Sequence, residues 1–241
     1  MSLLTIMQDA ADEIGISQPT VGISSTDSNN LKLVRYANKV GKNLMRNFAW
    51  QALTKEQTFT ALAAETQTSI LPADFDRFIP ESFWDRTGVN LITGPISMAE
   101  WQGLKANSYG NTSNPKFRHR GDTVLVIPTL TAGHSLAFEY VSKYWVDIAA
   151  TGTPKATFTI DTDVGLIDEE LLTRGVIYEF LEGEGLPSMS AAKAYLDYFK
   201  LRAKNDKPSS GILSSGDIFG GSQARHYDGT PPSAGVGLFN T

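Results

Sequence analysis

Apolar residues recur at helical spacing in four stretches of the chain, two near each end. Ser2 caps the first, in which Leu3, Ile6, Met7, Ala10 and Ile14 fall on one face and Gly15 is the stop. The pattern predicts an amphipathic helix that docks on a partner element. A polar loop with Pro19 and the run SSTDSNN follows. Leu31, Val34, Ala37, Gly41, Leu44, Met45 and Phe48 then share a face of a longer helix. Arg35, Lys39, Lys42, Asn43 and Arg46 fall mostly on its other side. A basic helix face is ordinarily solvated surface; its functional alternative is docking on an acidic neighbouring subunit. Near the other end, Asp168 precedes EELLTRGVIYEFLEGEG, which turns Leu171, Leu172, Val176 and Phe180 toward a core, with Tyr178 at the margin and Gly185 as the stop. Ser188 caps SAAKAYLDYFKLRAK, with Ala191, Ala194, Tyr195, Tyr198 and Leu201 on one stripe.

Between the helical pairs the period changes. QTFTALA alternates, and TSILP and DFDRFIPESFW read as short strands interrupted by Pro72 and Pro80. Pro95 and Ser97 introduce a brief helix, SMAEWQGLKA, and residues 107–115 form a polar loop. Phe117 to Arg120 and Thr123 to Ile127 flank Gly121-Asp122 as a hairpin, which Ser135 to Trp145 is expected to continue. In that last strand Leu136, Phe138, Tyr140, Ser142 and Tyr144 point one way, and Ala137, Glu139, Val141 and Lys143 the other. The predicted fold class is α+β. It combines a helical bundle from N- and C-terminal helices (1–54 and 161–204), an inserted small antiparallel β-domain (55–160) and an extended C-terminal arm (205–241).

Composition narrows the function classes. The 241 residues are 41% hydrophobic and 10% aromatic, enough for one good core and a small second layer. Net charge is -5, from 21 Lys and Arg against 26 Asp and Glu, which argues against tight wrapping of duplex DNA. A weakly acidic wall does suit a channel through which DNA slides without specific binding. With no cysteine there is no disulfide and no thiol or cysteine zinc chemistry. No apolar run approaches the roughly 20 residues of a membrane helix, and Asp9, Asp12 and Glu13 sit where a signal peptide is apolar. Synthesis in a reducing cytoplasm and no membrane partner are expected.

No pattern assembles a catalytic, cofactor or metal site. The three histidines, His119, His134 and His226, share no metal-ligand spacing. Gly133-His134-Ser135-Leu136-Ala137 approaches a nucleophile elbow, but it lacks the final glycine and leads into a strand. Asp161-Thr162-Asp163 resembles the start of a calcium loop, yet Leu166 and Leu172 occupy the positions of the required Gly and Glu, so helix-capping acids are the better reading. Gly183-Glu184-Gly185 is a helix end with no strand before it. The pairs Glu169/Glu170 and Glu182/Glu184 read as solvated helix-end carboxylates. Trp84, Trp101, Tyr140, Tyr144 and Trp145 are expected mainly in the core, with stacking on sugars or bases as the alternative.

After Asn205 the composition shifts: the last 37 residues contain seven Gly, three Pro and six Ser and show neither period. Alone, such a segment does not bury enough apolar surface to order itself. Ile212, Leu213, Ile218, Phe219, Tyr227, Leu238 and Phe239 nonetheless punctuate it, so the arm is expected to fold on a partner, with these seven residues as anchors.

The ordered phrases LVRYANKVGKNLMRNFAWQALTKEQTFTA, ILPADFDRFIPESFWDR, ITGPISMAEWQGL, GDTVLVIP, LAFEYVSKYWV and GVIYEFLEGEGL resemble the adaptor (head-tail connector) proteins of tailed phages, over residues 1–204. The resemblance rests on the order of phrases, and the tail after Asn205 departs from the shorter adaptors. It implies a virion structural protein at the head-tail junction, assembled as a ring oligomer, a dodecamer, under the portal protein. A tail or nozzle protein would lie below, and a C-terminal arm would dock on the portal. It carries over no catalytic residue. The alternatives are another tail component (tube, completion or fibre-anchoring protein), or a carbohydrate-binding or hydrolytic module using the aromatic β-insert.

Overall fold

The structure is a computed structural model and describes residues 2–106 and 114–206. Helix α1 (Leu3–Ile14) starts where its sequence demands: the Ser2 hydroxyl accepts from the Thr5 amide, and Gly15, at φ +81°, closes the last turn on the Ala11 carbonyl. Two more of its first-turn amides donate to backbone carbonyls far along the chain, Leu3 to Asp163 at 2.8 Å and Leu4 to Asp161 at 3.1 Å. Helix α2 (Ser28–Asn47) begins at Asp27, whose carboxylate accepts from the Asn29 and Asn30 amides. At its other end the orphan carbonyls find two side chains. The Trp50 indole donates to Leu44 at 2.9 Å, and the Arg77 guanidinium donates to Met45 and Phe48 at 3.1 and 3.0 Å.

Helices α4 (Glu169–Gly183) and α5 (Met189–Asn205) complete the helical side, and the short α3 (Met98–Ala106) lies apart from them in sequence and packing. Helix α4 is the hub, packing against α1, α2 and α5. Its tight neighbours are written in glycine: a Cβ on Gly175 would lie 2.5 Å from Val40, and one on Gly183 2.0 Å from the Tyr36 hydroxyl. One core cluster contains Ile6, Leu44, Leu172 and Val176, with Phe48 and Tyr195 packed half-buried against it.

The strands form three antiparallel sheets. Strand β1 (Thr54–Thr60), after a 3-10 turn at Gln51–Leu53, pairs along its length with β8 (Ser135–Ser142). The other edge of β8 is shared by β3 (Phe75–Phe78) and β4 (Trp84–Asp85), and β5 (Asn90–Leu91) pairs with β4. A second sheet has the order β2 (Thr66–Gln67), β7 (Thr123–Ile127), β6 (Lys116–Arg120). The third joins β10 (Pro154–Lys155), β9 (Val146–Asp147) and β11 (Val164–Gly165). Strand β8 alternates as expected and is the hinge of the packing. Leu136, Phe138 and Tyr140 enter an aromatic core with Phe78, Phe83 and Phe117, while Val141 on the opposite face joins the helical core.

Four expectations are corrected. The β6–β7 hairpin forms with Gly121 at φ +58°, but β8 does not continue it: β7 and β8 belong to different sheets. In α2, Leu31 is exposed and Leu33 and Val40 are buried instead. In α5, Ala194 and Leu201 are exposed, and Phe199 packs on the core with Tyr195 and Tyr198. Both helical misreadings have one cause. Leu31 and Leu33, like Phe199 and Leu201, are two residues and so about 200° apart around a helix, and only one of each pair can face inward. The choice is made by the neighbour. Finally, Asp161 and Asp163 are not side-chain helix caps: their backbone carbonyls cap α1, and their carboxylates tie loops.

Trp145 decides how α2 is rotated. It is fully buried, meets Phe158 edge-on at 4.9 Å, and lies so close to α2 that a Cβ on Gly41 would be 2.0 Å from its ring. Replacing Gly41 with Ala is therefore expected to cost on the order of 3 kcal/mol, the upper part of the overpacking range, because either the helix or the indole must move. Leu44→Ala should cost about 2–5 kcal/mol through lost burial plus a cavity, and Lys42→Ala, on the exposed side, less than about 0.5 kcal/mol. Urea midpoints of the three variants check this; equal midpoints for G41A and K42A would show that the contact does not constrain the helix.

Candidate assembly surfaces

Four carboxylates are drawn into the protein, and each is occupied by structural work: Glu179 on α4 pairs with Lys39 of α2 at 2.5 Å, and the other three are aspartates. Asp74, ahead of β3, accepts from Lys55 at 2.7 Å on β1 and from Tyr140 at 3.0 Å and Ser142 at 2.9 Å on β8. Asp85 accepts from the Thr87 and Gly88 amides and pairs at 2.7 Å with His134 Nδ1. Asp163, fully buried, accepts from the Thr159 and Ile160 amides at 2.7 and 2.8 Å and is paired with Lys155. Burial alone would raise these three acids, but the amides, hydroxyls and cations around them outweigh it and hold each below the ordinary carboxylate value. Asp161, by contrast, accepts from the Gly22 and Ile23 amides and pins the loop after α1.

The sequence features that approached known chemistry separate in space. His134 sits in a turn, with Gly133 at φ +84°, and Ser135 after it opens strand β8, so no strand-to-helix elbow exists there. No cluster of three or more His, Asp or Glu residues suited to a metal occurs among the described residues. Of the five large aromatics, Trp101, Tyr140 and Trp145 are buried, Tyr144 is half-buried and only Trp84 is substantially exposed. A stacking platform is thus not assembled. Glu170 is paired with Arg174, Glu184 with Lys32 and Glu182 with the Tyr178 hydroxyl. The anchors Ile212, Leu213, Ile218, Phe219, Tyr227, Leu238 and Phe239 lie outside the described residues.

What the exterior offers is a set of shallow grooves. One of about 580 Å³ runs beside β4 and β8, between Trp84, Val89 and Pro80, with Glu81 and Glu139 on its rim. A second, of about 520 Å³, follows the outer face of α2, where Arg35, Lys42 and Arg46 project beside Thr157 and Phe158. A third, of about 400 Å³, lies where Asp9 of α1 faces Glu169 and Glu170 at the start of α4. Helix α5 covers its inner side on α4 but contributes no fully buried residue, and its outer side exposes Met189, Leu196 and Leu201. Open relief of this kind, charged in two grooves and partly apolar in the first, is what a binding surface presents. The periodicity did not mark α5 as one-sided, because its apolar residues are spread around the whole circumference.

Residues 1–212 match the sequence profile of the SU10 adaptor protein family, a phage head-to-tail adaptor family, and the chain belongs to it. No curated protein matches the chain. The family assigns the protein a phage adaptor role as a structural component of the virion. No helix among the described residues is long and apolar enough to cross a membrane.

The depressed carboxylates set the acid limit of the fold. A carboxylate held below its unfolded value of 3.8 contributes stability that is fully present above that value and is lost as pH falls through its folded value. Urea midpoints should be flat from pH 7 to about 5 and drop steeply below about 4. Asp163→Asn should lower the plateau and flatten the acid limb; an unchanged acid limb would show that Asp163 is not held in its charged form by the fold.

Proposed function

We propose that this chain is a ring subunit of the head-to-tail adaptor, joining the portal to the tail and continuing the channel through which DNA passes without specific binding. The observation that carries the reading is the family match across residues 1–212. Three features of the molecule support it. The cavities are open grooves, one basic along α2, one rich in carboxylates between α1 and α4 and one with exposed apolar side chains beside β4, as a subunit with several neighbours requires. The buried acids are consumed in holding strands and loops together and leave no convergent set for catalysis. The net charge of -5 supplies no general affinity for phosphates. The ring copies itself by a rotation, so each subunit contacts its neighbours through two different faces.

The C-terminal arm is the proposed link to the portal. Its Gly and Ser content makes ordering costly, at about 1–2 kcal/mol of backbone entropy per residue, so only a partner's surface can offset it. Fully extended at about 3.3 Å per residue, it reaches on the order of 100 Å, past one neighbouring subunit. Phe219, Tyr227 and Phe239 are the aromatics best suited to fill pockets there.

Particles made without this protein are expected to contain DNA-filled heads and no attached tails, as seen by electron microscopy. A chain ending after Asp206 keeps the carboxylate that accepts the Gln51 amide at 2.8 Å, and should retain full helix content while failing to join portal-containing heads. Normal tail attachment in the first experiment would remove the adaptor reading. Normal joining in the second would leave the adaptor and discard the arm as its clamp.

A further inference from the structure

We infer that the basic groove along α2 of one copy receives the acidic outer face of α1 from the next copy, so that the ring closes through a charge-complementary, head-to-tail contact. The inference rests on the ring reading above and names the two faces that meet. Six charged side chains near these helices are paired at home. Lys39 pairs with Glu179 and Lys32 with Glu184 at 2.5 Å, and Arg174 pairs with Glu170 at 2.6 Å. Arg35, Lys42 and Arg46 do not: all three are exposed, line one groove with no carboxylate in its wall, and have no ion pair among the described residues. Their spacing, seven and then four residues, stacks them on the side of α2 that faces away from Leu33, Ala37 and Leu44.

The counterpart is on α1. Asp9, Asp12 and Glu13, spaced i, i+3 and i+4, form one exposed stripe that flanks the buried face of Leu3, Ile6 and Met7. Among the described residues none meets a cation, and only Asp12 has a hydrogen bond, from Gln18 at 2.7 Å. Among the described residues, three cations on one face thus lack counter-charges, and three carboxylates on another lack theirs. The groove beside Arg35 and the groove beside Asp9 share no residue, which is the condition for a heterologous contact: each copy can use both at once.

The Glu81 and Glu139 rim beside β8 is the weaker match: it offers two carboxylates beside the exposed Trp84 and Val89, an apolar surface with no counterpart in the basic groove, whereas α1 offers three carboxylates and no exposed large apolar side chain. A nucleic-acid backbone is the competing occupant of a basic groove, but it would have to approach a chain of net charge -5 through three cations alone.

The test uses the full-length chain, with self-association measured by sedimentation velocity over a wide concentration range and, on portal-containing heads, by the number of copies bound per head. The variants are R35E/K42E/R46E, D9K/D12K/E13K and all six together, each checked for unchanged far-ultraviolet circular dichroism. The single reversals K42E and D9K replace any triple variant that unfolds. Each one-sided variant is expected to associate at least about tenfold more weakly than the wild type, the combined variant to recover most of the loss, and wild-type association to weaken with salt. One-sided variants that associate like the wild type overturn the interface while leaving the ring intact. So does an α2 variant that loses binding to duplex DNA with association unchanged, which would make the groove a phosphate site. A wild type that self-associates in neither setting overturns the ring reading itself, and the interface with it.

Discussion

The placement of Trp145 against Gly41 is the contact on which the rest of the structure depends. A buried tryptophan removes about 150–250 Å² from water, worth about 4–6 kcal/mol at 25 cal/mol per Å². Its indole Nε1 finds no acceptor among the described residues, a loss of about 1–3 kcal/mol, so packing outweighs the lost hydrogen bond and the fit is one of shape. The notch left by glycine fixes the rotation of α2. With α2 fixed, Val40 meets Gly175 and Tyr36 meets Gly183, and α4 is set in turn. The same Trp145 carbonyl accepts from Leu166, which turns the chain into β11 and brings the Asp161 and Asp163 carbonyls to the first turn of α1. One aromatic insertion therefore orders the two N-terminal helices together with α4, which is more than a hundred residues further along the chain.

The β side is coupled to this core at two places, and each uses a group that could serve neither layer alone. Strand β8 sends Leu136, Phe138 and Tyr140 to the aromatic core and Val141 to the helical one, so shifting its register by one residue would empty both. Arg77 on β3 donates across the boundary to the last carbonyls of α2, where a cation also meets the negative end of the helix dipole. Asp74 then locks β1 and β8 to the loop ahead of β3 through Lys55, Tyr140 and Ser142. The outcome is one continuous body whose stiffness does not depend on disulfides, as a chain without cysteine requires.

Sequence periodicity was most informative where the physics is local. The caps at Ser2, Gly15 and Asp168, the Gly121 turn and the alternation of β8 depend on a few adjacent residues, and all appear at those positions. What failed was rotation and pairing. Leu31 against Leu33 and Phe199 against Leu201 are choices between two faces of one helix, made by Trp145 and α4, which lie more than a hundred residues from the first pair and in another element for the second. The assignment of β8 to the hairpin's sheet failed for a related reason: strand order is a long-range property, and β8 found its longest partner in β1 instead. Of the candidate surfaces, the basic face of α2 was legible because four cations recur at helical spacing. The grooves were not, since each is walled by segments such as Thr157–Phe158 that only tertiary contact brings alongside.

Charge is distributed here in a way that stability alone does not explain. Exposed ion pairs such as Arg86 with Glu56 are worth at most about 1 kcal/mol each, and a monomer gains little by arranging them. Yet the pairs take up about half of the cations among the described residues and leave single-sign faces on two helices that share a core. Like charges gathered on one face repel one another, a small cost that a solitary globular protein avoids by interspersing signs. Segregated faces instead govern encounter: they steer approach, reject the wrong orientation and set register, which matters more than raw affinity if the subunit meets copies of itself in one rotational sense, as in the proposed ring. An isologous contact would stop at two copies, whereas distinct complementary faces let the same contact repeat, which is what the proposed ring requires.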